Sequence, residues 1–90
     1  PALSYNFMKE VTIYTTRLCP FCYKAKSLLK KLEVSFNEIS IDLNPTFKEE
    51  MVAKAGKTSV PQIWIGDSHI GGCDDLYAMH YAGALSEALS

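Results

Sequence analysis

Two cysteines with two residues between them are the part of this sequence best suited to chemistry: Cys19-Pro20-Phe21-Cys22. Two thiols at this spacing can exchange with a disulfide, because one thiolate attacks a sulfur and the other resolves the mixed disulfide. The pair could instead supply half of a zinc site, with Cys73, His69 or His80 as further ligands. The sequence holds three cysteines, no second C-x-x-C and no H-x-x-x-H, so the spacing favours redox chemistry. Two inert core cysteines are the third alternative, but core filling poorly explains a proline between them.

The elements that must position the cysteines alternate between strands and helices. Val11–Thr15 is rich in β-branched and aromatic residues, which indicates a strand. From residue 20 to about 32, apolar residues recur at helical spacing among lysines, which indicates an amphipathic helix. The later elements are a strand, a helix, a hairpin of two strands, a helix and a short last turn, predicted at 35–41, 45–55, 62–65 with 69–70, about 73–81 and 85–89. This order predicts an α/β fold that opens with a parallel strand pair and continues with an antiparallel hairpin.

The two cysteines are expected to have different roles. Cys19 falls at the predicted start of the first helix, where free N–H groups and the helix dipole lower a thiol pKa from its ordinary value of about 8.5. We therefore expect Cys19 to be the nucleophile. Cys22 lies one turn later on nearly the same side of the helix and can close a disulfide, which makes it the expected resolving thiol. Arg17 and Lys24 add positive potential nearby.

Composition limits the other classes of function. Ninety residues with 48% apolar side chains suit one small domain, and a net charge of −1 leaves no basic surplus for binding nucleic acid. Apolar runs fall far short of the roughly 18 residues that cross a bilayer, and the first residues lack a signal-peptide pattern. We expect a soluble cytoplasmic protein with no membrane or nucleic-acid partner. Residues 1–8 are expected to be an N-terminal extension or an expression remnant, and residues 9–90 the folded domain.

Four segments, in this order and on these elements, resemble a dithiol glutaredoxin of the thioredoxin fold. They are Val11 to Tyr14, Cys19-Pro20-Phe21-Cys22, Thr58-Ser59-Val60-Pro61-Gln62 and Gly71-Gly72-Cys73-Asp74-Asp75-Leu76. The resemblance runs from Met8 to Leu89 and implies the order βαβαββα, with a four-stranded mixed sheet flanked by helices. It implies a monomeric, glutathione-dependent oxidoreductase that reduces disulfide-bonded and glutathionylated proteins, with glutathione as co-substrate.

The resemblance assigns one wall of a glutathione site to the segment before the third strand. The Val60-Pro61 bond is cis in the family and faces the thiols, so the Val60 N–H and C=O can pair with the cysteinyl backbone of glutathione. A trans proline that merely starts an edge strand is the alternative. Ser59 belongs to the same motif and is assigned to the site. Phe21 is assigned to it as well, although tyrosine is more usual there.

The other wall is assigned to the start of the last long helix. Gly72, Cys73 and Asp74 match the family segment that receives the γ-glutamyl end of glutathione, with N–H groups for its carboxylate and the Asp74 carboxylate for its ammonium group. Asp75 is equally well explained as a helix cap. Cys73 is also expected to serve as a small packing residue.

One position departs from the family pattern. The lysine usually found two residues after the first-strand tyrosine is Thr16 here. Arg17 or Lys57 is therefore expected to supply the positive charge for the glycyl carboxylate of glutathione.

A second function also stays open: Cys19 thiolates of two subunits, with glutathione, could hold a [2Fe-2S] cluster, as in some family members. Cys22 competes with that role, because it draws Cys19 into a disulfide.

Overall fold

The computed structural model describes residues 8–90, and their elements follow the predicted order. The strands are β1 (Val11–Thr15), β2 (Asn37–Ser40), β3 (Gln62–Ile65) and β4 (Ser68–Gly71). The helices are α1 (Pro20–Lys31), α2 (Pro45–Ala55), α3 (Cys73–Tyr81) and α4 (Leu85–Leu89). Residues 1–7 of the predicted extension over 1–8 lie outside the described residues, so the boundary at residue 9 stays a prediction.

The four strands form one mixed sheet in the order β2-β1-β3-β4. β1 and β2 are parallel, whereas β3 is antiparallel to both β1 and β4. This is the predicted four-stranded mixed sheet of a thioredoxin-like fold, and the prediction is confirmed. Among residues 8–90, no helix has the length and apolar character needed to cross a membrane.

The two central strands are buried on both faces of the sheet. On one face, Ile13 and Ile63 pack with side chains of α1, α3 and α4, among them Leu29 and Leu76. On the other face, Tyr14 and Trp64 pack with side chains of α2, chiefly Met51. Helices therefore cover both sides of the sheet, and the ends of β1 and β3 are held between them.

Local signals fix the start of α2 as the sequence predicts. The Asn44 side chain accepts a hydrogen bond from the Thr46 N–H at 2.9 Å, and Pro45 takes the first helical position. Gly56 ends the helix with a left-handed φ of 69°, a conformation that favours glycine.

Two boundaries differ from the prediction for a physical reason. β2 covers four residues rather than 35–41, because its pairing with β1 runs only from Asn37 opposite Thr12 to Ser40 opposite Thr15, where β1 ends. β4 extends by one residue on each side of the predicted pair, to Ser68 and Gly71, through its pairing with β3. Such boundaries depend on strand pairing rather than on local sequence.

The position of α1 depends on its buried leucines, which can be tested by truncation. Leu29→Ala should lower the free energy of unfolding by about 2–5 kcal/mol, since Leu29 is 1% exposed and alanine does not weaken the helix itself. Leu18→Ala is the matched control, because Leu18 is 95% exposed and should change stability by no more than about 0.5 kcal/mol. Urea unfolding followed by circular dichroism measures both. Equal stability of the two variants would contradict the proposed packing.

Candidate active site

The start of α1 is built around one sulfur atom. Cys19 is the N-cap residue, with φ −136° and ψ 100°, and its Sγ accepts a hydrogen bond from the Cys22 backbone N–H at 3.1 Å. Pro20 follows at the first helical position, where its missing N–H costs nothing. The sulfur therefore occupies the place of a capping oxygen, at the positive end of the helix dipole.

Cys19 and Cys22 are joined as a disulfide, with their Cα atoms 5.1 Å apart. Cys22 is 1% exposed and Cys19 is 8% exposed, so Cys19 is the more accessible member of the pair. This pairing accounts for both thiols of the motif without a metal ion. The pair can hold two electrons as thiols and release them when the disulfide forms.

The segment before β3 faces this sulfur. The Val60-Pro61 peptide bond is cis, as the resemblance implies. The carbonyl oxygen of Val60 lies 3.8 Å from Cys19 Sγ. Because Tyr14 near the end of β1 pairs with Gln62 at the start of β3, antiparallel pairing carries this segment to the start of α1.

A cleft of about 220 Å³ opens along this segment. Ten of the described residues line it: Phe21, Lys57, Ser59, Val60, Pro61, Gln62, Gly72, Cys73, Asp74 and Asp75. The structure thus brings together eight residues that the sequence assigned to a glutathione site and adds two others. These are Gln62, the last residue of the quoted motif Thr58–Gln62, and Asp75, which the sequence explained equally well as a helix cap. A larger apolar groove of about 480 Å³, formed by residues such as Leu32 and Leu85, has no cysteine in its lining.

The lining of the cleft carries both signs of charge. Lys57 comes from the segment before β3, whereas Asp74 and Asp75 come from the first turn of α3. Asp75 Oδ2 accepts a hydrogen bond from the Gly72 N–H at 2.9 Å and so caps the helix. The N–H groups of Cys73 and Asp74 have no acceptor within the helix and remain suited to an anion.

Gly71 makes this cap possible. Its φ of 118° is a conformation that side-chain-bearing residues rarely adopt, and a Cβ there would run into the carboxylate of Asp75. A glycine at this position is therefore required for the wall that α3 contributes to the cleft.

Comparison with known proteins agrees with this geometry. The sequence model of the glutaredoxin family matches residues 11–70. The chain is also 53% identical over 83 residues to a glutaredoxin of Pseudomonas aeruginosa, covering 92% of this chain and 99% of that protein. The chain belongs to the glutaredoxin family. With its cysteine pair, it is a thiol–disulfide oxidoreductase.

Two solved glutaredoxin structures are similar to this one. The solution structure of a Brucella melitensis glutaredoxin matches with a TM-score of 0.82 at 44% identity, covering 92% of this chain and 90% of that chain. A buckwheat glutaredoxin in complex with glutathione matches with a TM-score of 0.82 at 23% identity, covering 98% of this chain and 84% of that one. The second likeness concerns the fold alone.

Arg17 of this glutaredoxin lies outside the lining of the cleft. Its Nε is 3.2 Å from Asp42 Oδ2, and its backbone N–H donates to the same oxygen at 3.1 Å. Hydrogen bonds from the Ser40 hydroxyl and from Arg17 lower the pKa of Asp42 to about 2. Of the two basic residues that could replace the family lysine at Thr16, the structure therefore brings Lys57 to the cleft and pairs Arg17 with Asp42.

Cys73 is a buried free thiol at the first position of α3. Burial raises the pKa of the Cys73 thiol; the Lys24 charge works against this rise, and the Asp74 charge adds to it. A thiol with a raised pKa holds little thiolate at neutral pH and reacts slowly. Its environment agrees with the predicted packing role.

The three thiols should accordingly differ in reactivity. In the reduced protein, a brief pulse of iodoacetamide at neutral pH should label Cys19 before Cys73, since Cys19 is the more exposed of the two and burial raises the pKa of the Cys73 thiol. Mass spectrometry of the resulting peptides measures the order. Labelling in urea is the control and should remove the difference. If Cys73 were modified as fast as Cys19 in the folded protein, the assignment of Cys73 as an inert thiol would fail.

Proposed function

We propose that this glutaredoxin uses glutathione to reduce disulfide-bonded and glutathionylated proteins. The observation that carries the proposal is the position of Val60. This residue lines the cleft, and its carbonyl oxygen lies 3.8 Å from Cys19 Sγ. A peptide bound along the Val60 backbone would therefore have its own sulfur beside Cys19. Glutathione is a peptide with a central cysteine, and the similar buckwheat glutaredoxin was solved as a complex with glutathione.

The charges of the cleft match the two ends of glutathione. Backbone N–H and C=O groups of Val60 pair with the cysteinyl unit as an added strand would. The N–H groups of Cys73 and Asp74 receive the γ-glutamyl carboxylate, and the exposed Asp74 carboxylate accepts from the ammonium group. Lys57 is the basic residue of the lining and meets the glycyl carboxylate.

Reduction of a protein disulfide proceeds by two exchange steps. The Cys19 thiolate attacks one sulfur of the client, forming a mixed disulfide and releasing the other client sulfur as a thiolate. The Cys22 thiolate then attacks Cys19, which releases the reduced client and leaves the Cys19–Cys22 disulfide present in this structure. Two glutathione molecules then reduce that disulfide and leave as glutathione disulfide.

Removal of glutathione from a protein needs only the first cysteine. Cys19 attacks the glutathione sulfur, the client leaves as a thiolate, and a second glutathione releases Cys19 as glutathione disulfide is formed. Both reactions need a reduced glutathione pool, so we propose that the protein acts in the cytoplasm.

The cluster-carrying alternative would give visible absorbance and a change in molecular size after anaerobic reconstitution with iron and sulfide.

Substitution of each cysteine in turn should separate the two reactions. Cys19→Ser should abolish both reactions, because both begin with the same nucleophile. Cys22→Ser should lose reduction of protein disulfides but keep deglutathionylation, since glutathione resolves that mixed disulfide. Ala53→Ser, at an exposed position of α2 outside the lining of the cleft, is the control and should retain both activities. Glutathione-coupled assays with a disulfide protein and with a glutathionylated peptide measure them, and an equal loss of both reactions in Cys22→Ser would contradict the mechanism.

The basic anchor can be tested by removing charge. Lys57→Gln should raise the glutathione KM about two- to five-fold at low salt, the range expected for an exposed ionic contact. Arg17→Gln should have the smaller effect, because Arg17 pairs with Asp42. High salt should shrink both differences by screening. A double variant with the parent KM at low salt would show that backbone groups or water hold the carboxylate instead.

A further inference from the structure

A chain of hydrogen bonds connects the outer strand β4 to the cleft through Gln62. The Gln62 side chain is buried, at 2% exposure, and its Nε2 lies 3.0 Å from the Ser59 carbonyl oxygen and 3.3 Å from Ser59 Oγ. On the other side of the amide, Oε1 lies 2.7 Å from His69 Nε2. The three residues thus form a continuous link from an exposed histidine to the segment that faces Cys19.

The chemistry of these groups fixes the direction of every bond. A carbonyl oxygen only accepts, so the Gln62 atom that faces Ser59 O must be the NH₂ group. The Gln62 oxygen then faces His69 and can only accept, so His69 Nε2 must carry a hydrogen. Both the neutral Nε2–H tautomer and the protonated ring meet this requirement. His69 therefore acts as a donor that orients the amide.

The imidazole is itself held in place by Trp64. The two rings are stacked, with centroids 4.6 Å apart and planes 28° from parallel. They belong to residues that are paired across β3 and β4. Trp64 is 8% exposed and also contacts Tyr14 edge-on, so it provides a fixed surface for the His69 ring. The histidine thus has one face against a buried ring and one nitrogen aimed at the buried amide.

We infer that His69 is a positioning residue for the thiol-exchange site, acting through Gln62 to hold the Ser59–Val60 backbone beside Cys19. The inference rests on the proposed use of glutathione, because that backbone is the surface along which the peptide would bind. Without the His69 donor, the buried Gln62 oxygen would have no hydrogen-bond partner. The amide would then recover free energy by rotating or by binding a water molecule. Rotation removes the bonds to Ser59 that hold the binding segment, and a water in place of the His69 ring leaves the amide, and with it those bonds, less firmly fixed.

Two substitutions separate the hydrogen bond from the ring contact. His69→Phe keeps an aromatic ring for Trp64 and deletes the donor, whereas His69→Gln places an amide nitrogen at about the same distance from the backbone and deletes the ring. His69→Phe should raise the glutathione KM about two- to ten-fold with kcat little changed, the effect of one lost hydrogen bond. The glutathione KM of His69→Gln should stay within about two-fold of the parent value. His80→Phe, the same change at the other histidine of the chain, is the matched control and should leave KM unchanged.

A second measurement needs no glutathione. In NMR spectra of the oxidised protein, the Gln62 side-chain amide signals and the Ser59 and Val60 backbone amide signals should shift in His69→Phe and stay near their parent positions in His69→Gln. The inference would be overturned if both variants kept the parent KM and the parent spectra. It would also be overturned if the two variants showed equal losses of activity together with equal decreases in melting temperature. A parent enzyme that does not saturate with glutathione would count against the proposed function, while the spectra would still decide the role of His69.

Discussion

The hydrogen bond from the Cys22 N–H to the sulfur of Cys19 is the interaction on which the site depends. It fixes a large, polarisable atom at the start of a helix, where unpaired N–H groups and the helix dipole favour negative charge. The bond is only as rigid as the helix that supplies it. α1 is held against the sheet by Ala25, Leu28 and Leu29, all buried, so core packing determines where the sulfur lies.

The same sheet brings the residues that line the cleft to that sulfur. β1 ends four residues before Cys19, β3 starts where β1 ends because it runs the opposite way, and β4 ends near the start of β3 because Gly71 pairs with Ile63. One end of the sheet therefore carries Cys19, the cis-proline segment and the first turn of α3. Three distant stretches of sequence form one site through two antiparallel pairings.

Local signals in the sequence were sufficient for much of this arrangement. Asn44, Pro45 and Gly56 mark the ends of α2 by backbone chemistry, and the cysteine spacing points to the start of α1. Motif resemblance then anticipated most of the lining of the cleft. These features depend on residues close to one another in the chain or on a pattern shared by a family.

Other features could not be read from the sequence because they depend on distant partners. Arg17 looked equal to Lys57 as a basic anchor, and only the approach of Asp42, 25 residues away, distinguishes the two. Phe21 follows the helical apolar pattern, yet it is 59% exposed at the rim of the cleft. The role of Gln62 emerges only when His69 and Ser59 are seen on either side of its amide.

The cysteine pair and most of the cleft come from separate stretches of the chain. Residues 19–22 supply the reactive sulfurs, whereas nine of the ten lining residues lie between 57 and 75, with Phe21 as the exception. Under the proposed function, substitutions in the later stretch can change which peptide is bound without altering the helix start that carries Cys19. In evolutionary terms, reactivity and selectivity can vary independently, so one redox centre can be adapted to new clients by drift in a segment of about twenty residues.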